Sequence, residues 1–261
     1  MNKKIIVFDV DGTLRDNHNK TIYPKTIYTL KELKKNGHIL VIASGRNMPM
    51  LDSINEILYL FDAFILINGT QIIYKGKTIY ADPLPTNDIK ELIDDFKEAK
   101  ISVSFVSSKS NRINSFDDSI SELYKEFNIT DFVIDEKYYL KEDIYQIWCF
   151  GELNIIKDFS DKHPNYSIIP WGDNVLGYDV IKLGNDKAKA LSLLINYLHF
   201  DIKDVIAIGD SNNDISLLKL AGLSIAMGNG SVGAKESSDY VTDDITNDGL
   251  YKAFKHFKLV K

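Results

Sequence analysis

The sequence predicts an α/β fold: a doubly wound, parallel-sheet (Rossmann-like) core into which an α+β domain is inserted. Three observations lead to this prediction: short buried strand patterns, amphipathic helix patterns between them, and a middle third that resembles neither end. Strands that alternate with helices are typical of a parallel sheet covered by helices on both faces.

Four short apolar runs, at 5–8, 39–43, 64–67 and 205–208, have the pattern of strands buried on both faces. Each ends in a small or polar residue. Ligands of such sheets bind beyond the carboxyl ends of the strands. We therefore expect the residues that follow three of these strands, Asp9, Ser44 and Asp210, to lie at one edge of the sheet.

Amphipathic segments separate these strands. The segment 24–36 has Pro at its start and Gly37 just beyond its end, which is the usual asymmetry of a helix. A second helix is predicted after Asn185 as its cap, with an apolar face that repeats every three to four residues. That face consists of Leu191, Leu194, Ile195 and Leu198.

The middle third has a different pattern. A helical segment at 87–100 is followed by alternating, hairpin-like segments that include 101–106 and 144–150. We interpret residues 82–182 as an inserted α+β domain, and residues 1–81 and 183–261 as the two parts of the core.

Composition excludes several classes of protein. The chain of 261 residues is 44% hydrophobic and 26% charged, which is typical of a globular protein. Its formal net charge of -6 argues against a nucleic-acid or anionic-membrane partner, because both need a basic surface.

Cellular location is predicted from two further features. Cys149 is the only cysteine, so an intrachain disulfide is impossible and a reducing compartment is expected. The apolar run at the N-terminus stops at Asp9, too early for a secretory signal, and no uncharged run reaches membrane-spanning length. We expect a cytoplasmic protein, monomeric or weakly homodimeric.

Two acidic clusters follow buried strands. In the first, Asp9 and Asp11 are two positions apart, so that one carboxylate can attack while the other transfers a proton. In the second, Asp210 and Asp214 offer the hard oxygen ligands that Mg²⁺ prefers. Either cluster alone could be a solvated turn, but two at equivalent strand ends indicate a metal-dependent active site.

Two further segments are candidates for binding phosphate. Ser44 and Gly45 follow the second strand, where a hydroxyl and backbone N–H groups at a helix start can hold phosphate oxygens. Lys187 lies in the first turn of the predicted second helix, where a cation opposes the helix dipole. That unfavourable position suggests a functional lysine.

Taken in order, these motifs resemble those of the haloacid dehalogenase-like hydrolase superfamily, and within it the Cof-type sugar phosphatases. The four motifs are Asp9-x-Asp11-Gly-Thr-Leu14, Ser44-Gly-Arg46, Lys187, and Gly209-Asp210-x-x-Asn213-Asp214. Segments such as Asn68-Gly69 and 227–230 are similar to the corresponding sequences of the same subgroup. Small departures are Ala188 after the lysine, where the subgroup usually has Gly, and Thr70 after Asn68-Gly69, where it often has Ala.

The resemblance implies a role for each motif residue. Asp9 is the expected nucleophile and Asp11 the expected acid/base, whose backbone carbonyl also binds Mg²⁺. Asp9 and Asp210 are the expected side-chain ligands of Mg²⁺, with Asp214 supporting the metal site. The phosphoryl group is expected to be held by Ser44, Gly45, Lys187 and Asn213.

The position of the insertion indicates a branch of the superfamily. The segment between Ser44 and Lys187 is far longer than that between Asp11 and Ser44, so residues 82–182 are the expected cap domain. A cap over the site would exclude water during phosphoryl transfer. Candidate specificity residues in it are Asn111, Arg112, Trp148 and Trp171, although core packing for the tryptophans and a solvated loop for the other two are the simpler explanations.

We therefore expect a Mg²⁺-dependent phosphatase that hydrolyses small phosphorylated metabolites, sugar phosphates above all, through an aspartyl-phosphate. Two alternatives stay open on sequence alone. A phosphomutase of the phosphomannomutase type would share the opening motif and the cap position but return the phosphoryl group to the sugar. A sensor that binds a phosphorylated ligand without turnover would need neither Asp9 nor Asp11.

Overall fold

A computed structural model gives the structure of the protein and describes residues 3–115, 118–126, 129, 133–171 and 176–261. The strands, in chain order, are β1 (Ile5–Phe8), β2 (Ile39–Ala43), β3 (Ala63–Leu66), β4 (Gln71–Tyr74), β5 (Lys77–Ala81), β6 (Ser102–Ser107), β7 (Asn111–Ile113), β8 (Ile144–Phe150), β9 (Tyr166–Pro170), β10 (Gly177–Lys182), β11 (Val205–Gly209), β12 (Leu223–Ala226) and β13 (Tyr240–Val241). The helices are α1 (Pro24–Lys35), α2 (Asn55–Leu58), α3 (Thr86–Glu98), α4 (Asp118–Glu126), α5 (Leu153–Lys162), α6 (Lys187–Leu198), α7 (Ile215–Leu220), α8 (Val232–Glu236) and α9 (Gly249–His256).

The chain divides into two compact units. The first comprises Met1–Arg46, Leu51–Tyr80 and Asp186–Lys261, and the second comprises Asn47–Met50 and Ala81–Asn185. Residues 47–50, which we expected to belong to the core, group with the second unit. The reason is the buried Asn47, whose amide nitrogen donates to the carbonyl of Ser107 and to the Oδ1 of Asn111, at 2.9 Å each.

An eight-stranded sheet forms the centre of the first unit, in the order β13-β12-β11-β1-β2-β3-β4-β5. Neighbouring strands from β13 to β3 pair in parallel, and β4 runs antiparallel to β3. The predicted α/β fold with a parallel core sheet is therefore confirmed, with an antiparallel addition at one side. β1 lies between β11 and β2, so the segment that follows β1 emerges at the middle of the sheet.

Helices cover both faces of this sheet. Ile5 and Val7 of β1 pack in one cluster with Leu191 and Leu194 of α6. The next side chain along β1, Phe8, points to the opposite face, where its ring lies 5.8 Å from that of Phe254 in α9. Because side chains alternate along a strand, β1 must be apolar at every position to serve both layers.

The second unit contains a five-stranded sheet in the order β7-β6-β8-β10-β9, with antiparallel pairing throughout. Its core lies against α3 and α5, where the rings of Phe96 and Phe159 stack at 3.9 Å. Cys149 lies in β8 in this core and burial raises the pKa of its thiol, so this residue packs as a small hydrophobic side chain.

In the described parts of the chain, none of the helices combines the length and the apolarity needed to cross a bilayer.

The buried face of α6 generates a first prediction. Leu194 is fully buried in the core cluster, so Leu194→Ala should lower the free energy of unfolding by about 2–5 kcal/mol. The matched control is the neighbouring Leu193, which is 37% exposed. Leu193→Ala should change stability by no more than about 0.5 kcal/mol. Urea unfolding monitored by circular dichroism measures both, and equal losses would contradict the assigned faces of α6.

Candidate active site

The site begins where β1 ends. The backbone N–H of Asp9 donates to the carbonyl of Ile208 at 3.0 Å, which continues the pairing of β1 with β11 one residue beyond the strand. This bond fixes the start of the loop that contains Asp9 and Asp11. Asp9 itself is only 5% exposed, so its carboxylate is held in a largely desolvated position.

Gly12 brings this loop against the loop after β11. Its φ is +85°, and a Cβ atom there would lie 2.3 Å from Oδ2 of Asp210. The hydroxyl of Thr13 donates to Oδ1 of the same carboxylate at 3.1 Å, and the amide of Asn229 donates to the Gly12 carbonyl at 2.8 Å. A side chain at position 12 would therefore push the two acidic loops apart.

The second acidic loop is folded around Asp214. One oxygen of this buried carboxylate, Oδ2, accepts from the backbone N–H groups of Asp210 and Ser211, at 3.1 Å each. Such a local bond between side chain and backbone closes a turn just after the strand. Asp214 thus shapes the loop that presents Asp210.

Carboxylate oxygens of Asp9, Asp210 and Asp214 lie within 4.8 Å of one another. Burial and the charge of Asp214 raise the pKa of Asp9 from 3.8 to about 7. Burial, followed by the charges of Asp9 and Asp214, raises the pKa of Asp210 as well. Hard oxygen donors held together against their mutual repulsion fit a divalent cation such as Mg²⁺ or Ca²⁺.

Lys187 is the cation at the centre of this cluster. Its Nζ lies 2.7 Å from Oδ1 of Asp9 and 2.6 Å from Oδ1 of Asp214, and the residue is 1% exposed. Burial alone would lower the pKa of Lys187, but the charges of Asp214 and Asp9 outweigh it and the pKa is raised. The lysine therefore remains charged and offsets part of the acidic charge.

The start of α6 differs from the prediction in one respect. Its N-cap is Asp186, whose side chain accepts from the backbone N–H of Lys189 at 2.7 Å, and the predicted cap, Asn185, precedes it. Asn185 instead donates to Asp82 at 3.0 Å. The negative charge of Asp186 at the N-cap interacts favourably with the helix dipole, which offsets the unfavourable position of the Lys187 cation at the first helical residue.

The segment after β2 also differs from the prediction. No helix begins at Ser44 or Gly45; the next helical turn is a 3-10 helix from Pro49 to Ile54. Instead, the Ser44 hydroxyl accepts a hydrogen bond from the backbone N–H of Arg46 at 3.2 Å. The backbone carbonyl of Ser44 accepts one from the backbone N–H of Asn68 at 3.1 Å. The segment is a turn held by its neighbour, so any phosphate binding there would not rely on a helix dipole.

Asn68 is a site residue that the analysis of motifs did not select. It is 2% exposed, has a left-handed backbone with φ of 51°, and accepts from the amide of Asn213 at 3.3 Å. The Oδ1 of Asn213 in turn lies 3.5 Å from Nζ of Lys187. Asn68 thus connects the predicted phosphate ligands Ser44, Asn213 and Lys187. The available signal was an Asn-Gly pair directly after a predicted strand, which is typical of a left-handed turn.

Asp11 has a different environment from Asp9. Arg46 holds its carboxylate with two hydrogen bonds, Nε to Oδ2 at 2.6 Å and Nη2 to Oδ1 at 2.8 Å. The Nη1 of Arg15 lies 3.8 Å from the same Oδ1. Burial would lower the pKa of Arg46, but Asp11 raises it, so the pair is ionic. From the sequence, Arg46 was predicted only as part of a motif and Arg15 had no predicted role.

The candidate specificity residues all lie in the second unit. Trp148 is 3% exposed and its ring meets that of Trp171 edge-on at 5.3 Å, while the Trp171 indole N–H donates to Asp179 at 2.7 Å. Asn111 is buried and accepts from Asn47, and the Arg112 guanidinium lies 5.5 Å from the ring of Tyr138. Within this unit, the two tryptophans pack against each other and Trp171 is also fixed by its hydrogen bond to Asp179.

The sequence profile of the haloacid dehalogenase-like hydrolases matches residues 6–254, and this stretch contains every residue of the acidic cluster. The chain belongs to this family. The resemblance inferred from the four ordered motifs is thereby confirmed.

Curated relatives of this hydrolase extend over its whole length. A Bacillus subtilis (strain 168) protein named "Putative phosphatase YkrA" is 33% identical over 266 residues, covering 100% of both chains. A second protein of that strain, the 5-amino-6-(5-phospho-D-ribitylamino)uracil phosphatase YcsE, is 30% identical and covers 98% of this chain and 96% of its own.

Among solved structures, the HAD subclass IIB sugar phosphatase BT4131 is similar to this hydrolase with a TM-score of 0.90 and 25% identity. The likeness covers 99% of this chain and 100% of that one. The predicted enzyme class, a phosphoric monoester hydrolase of the haloacid dehalogenase-like superfamily, is confirmed.

The contact between Gly12 and Asp210 generates a second prediction. Gly12→Ala should reduce phosphatase activity about 10²-fold, because the new methyl group displaces a carboxylate of the cluster. Gly37→Ala is the matched control, since Gly37 has a nearly identical φ of +84° but nothing within 4 Å of the added atom. It should cost about 1 kcal/mol of stability and leave activity unchanged. Hydrolysis of p-nitrophenyl phosphate measures both; equal activity in the two variants would contradict the steric argument.

Proposed function

We propose that the protein is a Mg²⁺-dependent phosphatase that hydrolyses small phosphorylated metabolites, chiefly sugar phosphates, through an aspartyl-phosphate on Asp9. The single observation that carries this proposal is the position of Asp9. Its carboxylate lies at the end of the central strand, beside two further carboxylates and 2.7 Å from a buried lysine. A nucleophile for an anionic phosphate needs such positive charge beside it.

The residues proposed to hold Mg²⁺ are Asp9 and Asp210 through their side chains and Asp11 through its backbone carbonyl. Asp214 supports the metal site, since one of its oxygens accepts backbone N–H groups and the other contacts Lys187. When bound, the cation supplies positive charge that offsets repulsion between Asp9 and a phosphate dianion.

The phosphoryl oxygens are proposed to be held by Lys187, Ser44, Asn213 and the backbone N–H of Gly45. Phosphoryl transfer spreads negative charge over three oxygens, so hydrogen-bond donors and cations in fixed positions are the main means of lowering the activation barrier. Lys187 has the strongest support, because burial beside two carboxylates keeps it charged. The bond from Asn213 to Asn68 supports a fixed orientation of the Asn213 amide.

The proposed reaction has two steps. A carboxylate oxygen of Asp9 forms a bond to phosphorus as the ester P–O bond breaks, and Asp11 donates a proton to the leaving oxygen. A water molecule then attacks the phosphorus of the aspartyl-phosphate, loses a proton to Asp11, and releases phosphate and free Asp9. Because Arg46 holds the Asp11 carboxylate here, Asp11 must leave Arg46 and take up a proton from solvent before it can donate one to the leaving oxygen.

Sugar phosphates are proposed as substrates because a similar structure is that of a sugar phosphatase and a similar curated protein is named a 5-amino-6-(5-phospho-D-ribitylamino)uracil phosphatase. Residues 82–182 are proposed as the cap domain of this enzyme, and residues 1–81 and 183–261 as its catalytic core. A cytoplasmic location, a monomeric or weakly dimeric state, and the absence of nucleic-acid and membrane partners stay predictions.

Loss of the nucleophile is the direct test. Asp9→Asn should lower kcat for p-nitrophenyl phosphate at least about 10³-fold in the presence of Mg²⁺, because an amide cannot form the aspartyl-phosphate. Asp52→Asn, which removes an exposed carboxylate of the same unit, should retain full activity. Undiminished phosphate release by the Asp9 variant would remove the proposed nucleophile.

Mg²⁺ should stabilise the protein more at high pH than at low pH. Since the folded state raises the pKa of Asp9 from 3.8 to about 7, its contribution to stability is fully present below pH 3.8 and is lost as the pH rises towards 7. Mg²⁺ binds the ionised carboxylate and restores this loss, so it should raise Tm more at about pH 8 than at about pH 5.5.

Thermal unfolding with and without Mg²⁺ at both pH values measures this difference. The Asp9→Asn variant is the control, because it lacks the titrating group and should respond to Mg²⁺ less and with less dependence on pH. An equal rise of Tm at the two pH values in the unmodified protein would contradict the assignment of Asp9 as a metal ligand.

A further inference from the structure

Arg15 is a buried cation whose charge the proposed mechanism does not use. The sequence contains three arginines, at 15, 46 and 112, and lysine supplies every other basic side chain except histidine. Two of these three arginines, Arg15 and Arg46, lie beside the same carboxylate, that of Asp11. Arginine differs from lysine in its rigid, planar set of donors, which matches carboxylate and phosphate groups.

The backbone fixes Arg15 at the base of the catalytic loop. Its N–H donates to the carbonyl of Val10 at 2.9 Å, and its carbonyl accepts from the N–H of Gly12 at 2.8 Å. These two bonds close the loop that contains Asp11. The guanidinium of Arg15 is consequently held next to the Asp11 carboxylate by the same loop that positions Asp9.

The guanidinium of Arg15 makes no hydrogen bond to the described residues. Arg15 is 4% exposed, and its Nε is a buried nitrogen without a hydrogen-bond partner. The approach of Nη1 to Asp11, at 3.8 Å, is an ion pair but too long for a hydrogen bond. Burial, the largest influence, lowers the pKa of Arg15; the charge of Asp11 raises it, but not enough to offset burial and the neighbouring charge of Arg46.

Neither neighbouring acid satisfies Arg15. Both oxygens of Asp11 accept hydrogen bonds from Arg46. Asp16 is 2% exposed and accepts instead from the backbone N–H of His18 at 2.8 Å, the Asn19 amide at 2.8 Å and the Tyr23 hydroxyl at 2.7 Å. A buried guanidinium that has an ion pair but no hydrogen-bond acceptor for its Nε is costly, so a structural role alone does not explain it.

We propose that Arg15, together with Arg46, forms a subsite for a second acidic group on the substrate, a carboxylate or a second phosphate. This inference rests on the proposed phosphatase function and narrows its substrate class to sugar phosphates that carry an additional anion. The anion accepts from the unused donors of Arg15. It also replaces Asp11 on Arg46, which leaves the Asp11 carboxylate available for proton transfer at the leaving oxygen.

Two pairs of substrates test this subsite. In each pair the members differ by one acidic group: 6-phosphogluconate against glucose 6-phosphate, and fructose 1,6-bisphosphate against fructose 6-phosphate. In the unmodified protein with Mg²⁺, kcat/KM should favour the more acidic member by about 10- to 100-fold in at least one pair. The first pair reports on a carboxylate and the second on a phosphate.

Arg15→Leu should abolish most of that preference, chiefly through a higher KM for the more acidic member. Arg15→Lys, which keeps the positive charge but loses the planar donors, should give an intermediate preference. This variant is the test of the subsite if the leucine variant fails to fold. Lys31→Leu removes one exposed positive charge from the same unit and should keep the full preference.

Three results would overturn the subsite. Equal kcat/KM within both pairs would do so while leaving the phosphatase intact. A preference that persists unchanged in both Arg15 variants would assign it to other residues. Absence of turnover for all four sugars, with p-nitrophenyl phosphate still hydrolysed, would reject the proposed sugar class and this inference with it.

Discussion

The contact of Lys187 with Asp9 and Asp214 is the interaction on which the rest of the site depends. Three carboxylates packed within 4.8 Å repel one another, and burial makes that repulsion stronger than it would be in water. Burial is the largest cause of the raised pKa values of Asp9 and Asp210, and the charges of the neighbouring carboxylates raise both further in spite of the lysine. The remaining excess of negative charge is what makes the cluster a suitable place for a divalent cation.

The sheet supplies the geometry that this charge cluster needs. β1 and β11 are adjacent and parallel, so Asp9 and Asp210 leave the sheet side by side although they are far apart in the chain. Gly12 then allows the two loops to touch, and Asp214 closes the second loop through the backbone N–H groups of Asp210 and Ser211. Asp9, Lys187 and Asp214 are themselves buried at this edge of the sheet, so their charges are desolvated.

Sequence reasoning predicted the parts of the site that follow strands and missed those that depend on partners. Asp9, Ser44 and Asp210 were found because each comes directly after an uninterrupted apolar run. Asn68 also follows such a run, but what places it in the site is its hydrogen bond with Asn213, and that bond joins segments distant in the chain. The expected helix at Ser44 was wrong, because the segment satisfies its backbone groups through Asn68 and Arg46 instead of through a helical turn.

The sequence by itself determined the α/β class, the central strands and the order of the catalytic motifs, because burial on both faces leaves a continuous apolar pattern that is local in the chain. Only the tertiary structure decided which charges pair. Two cations illustrate this: Arg46 pairs with Asp11, and Lys187 pairs with both Asp9 and Asp214. The Nε of Arg15, by contrast, has no hydrogen-bond partner. These outcomes depend on distances in the folded chain that no local sequence pattern encodes. Electrostatic energy depends on these distances and on desolvation, and both are properties of the folded chain.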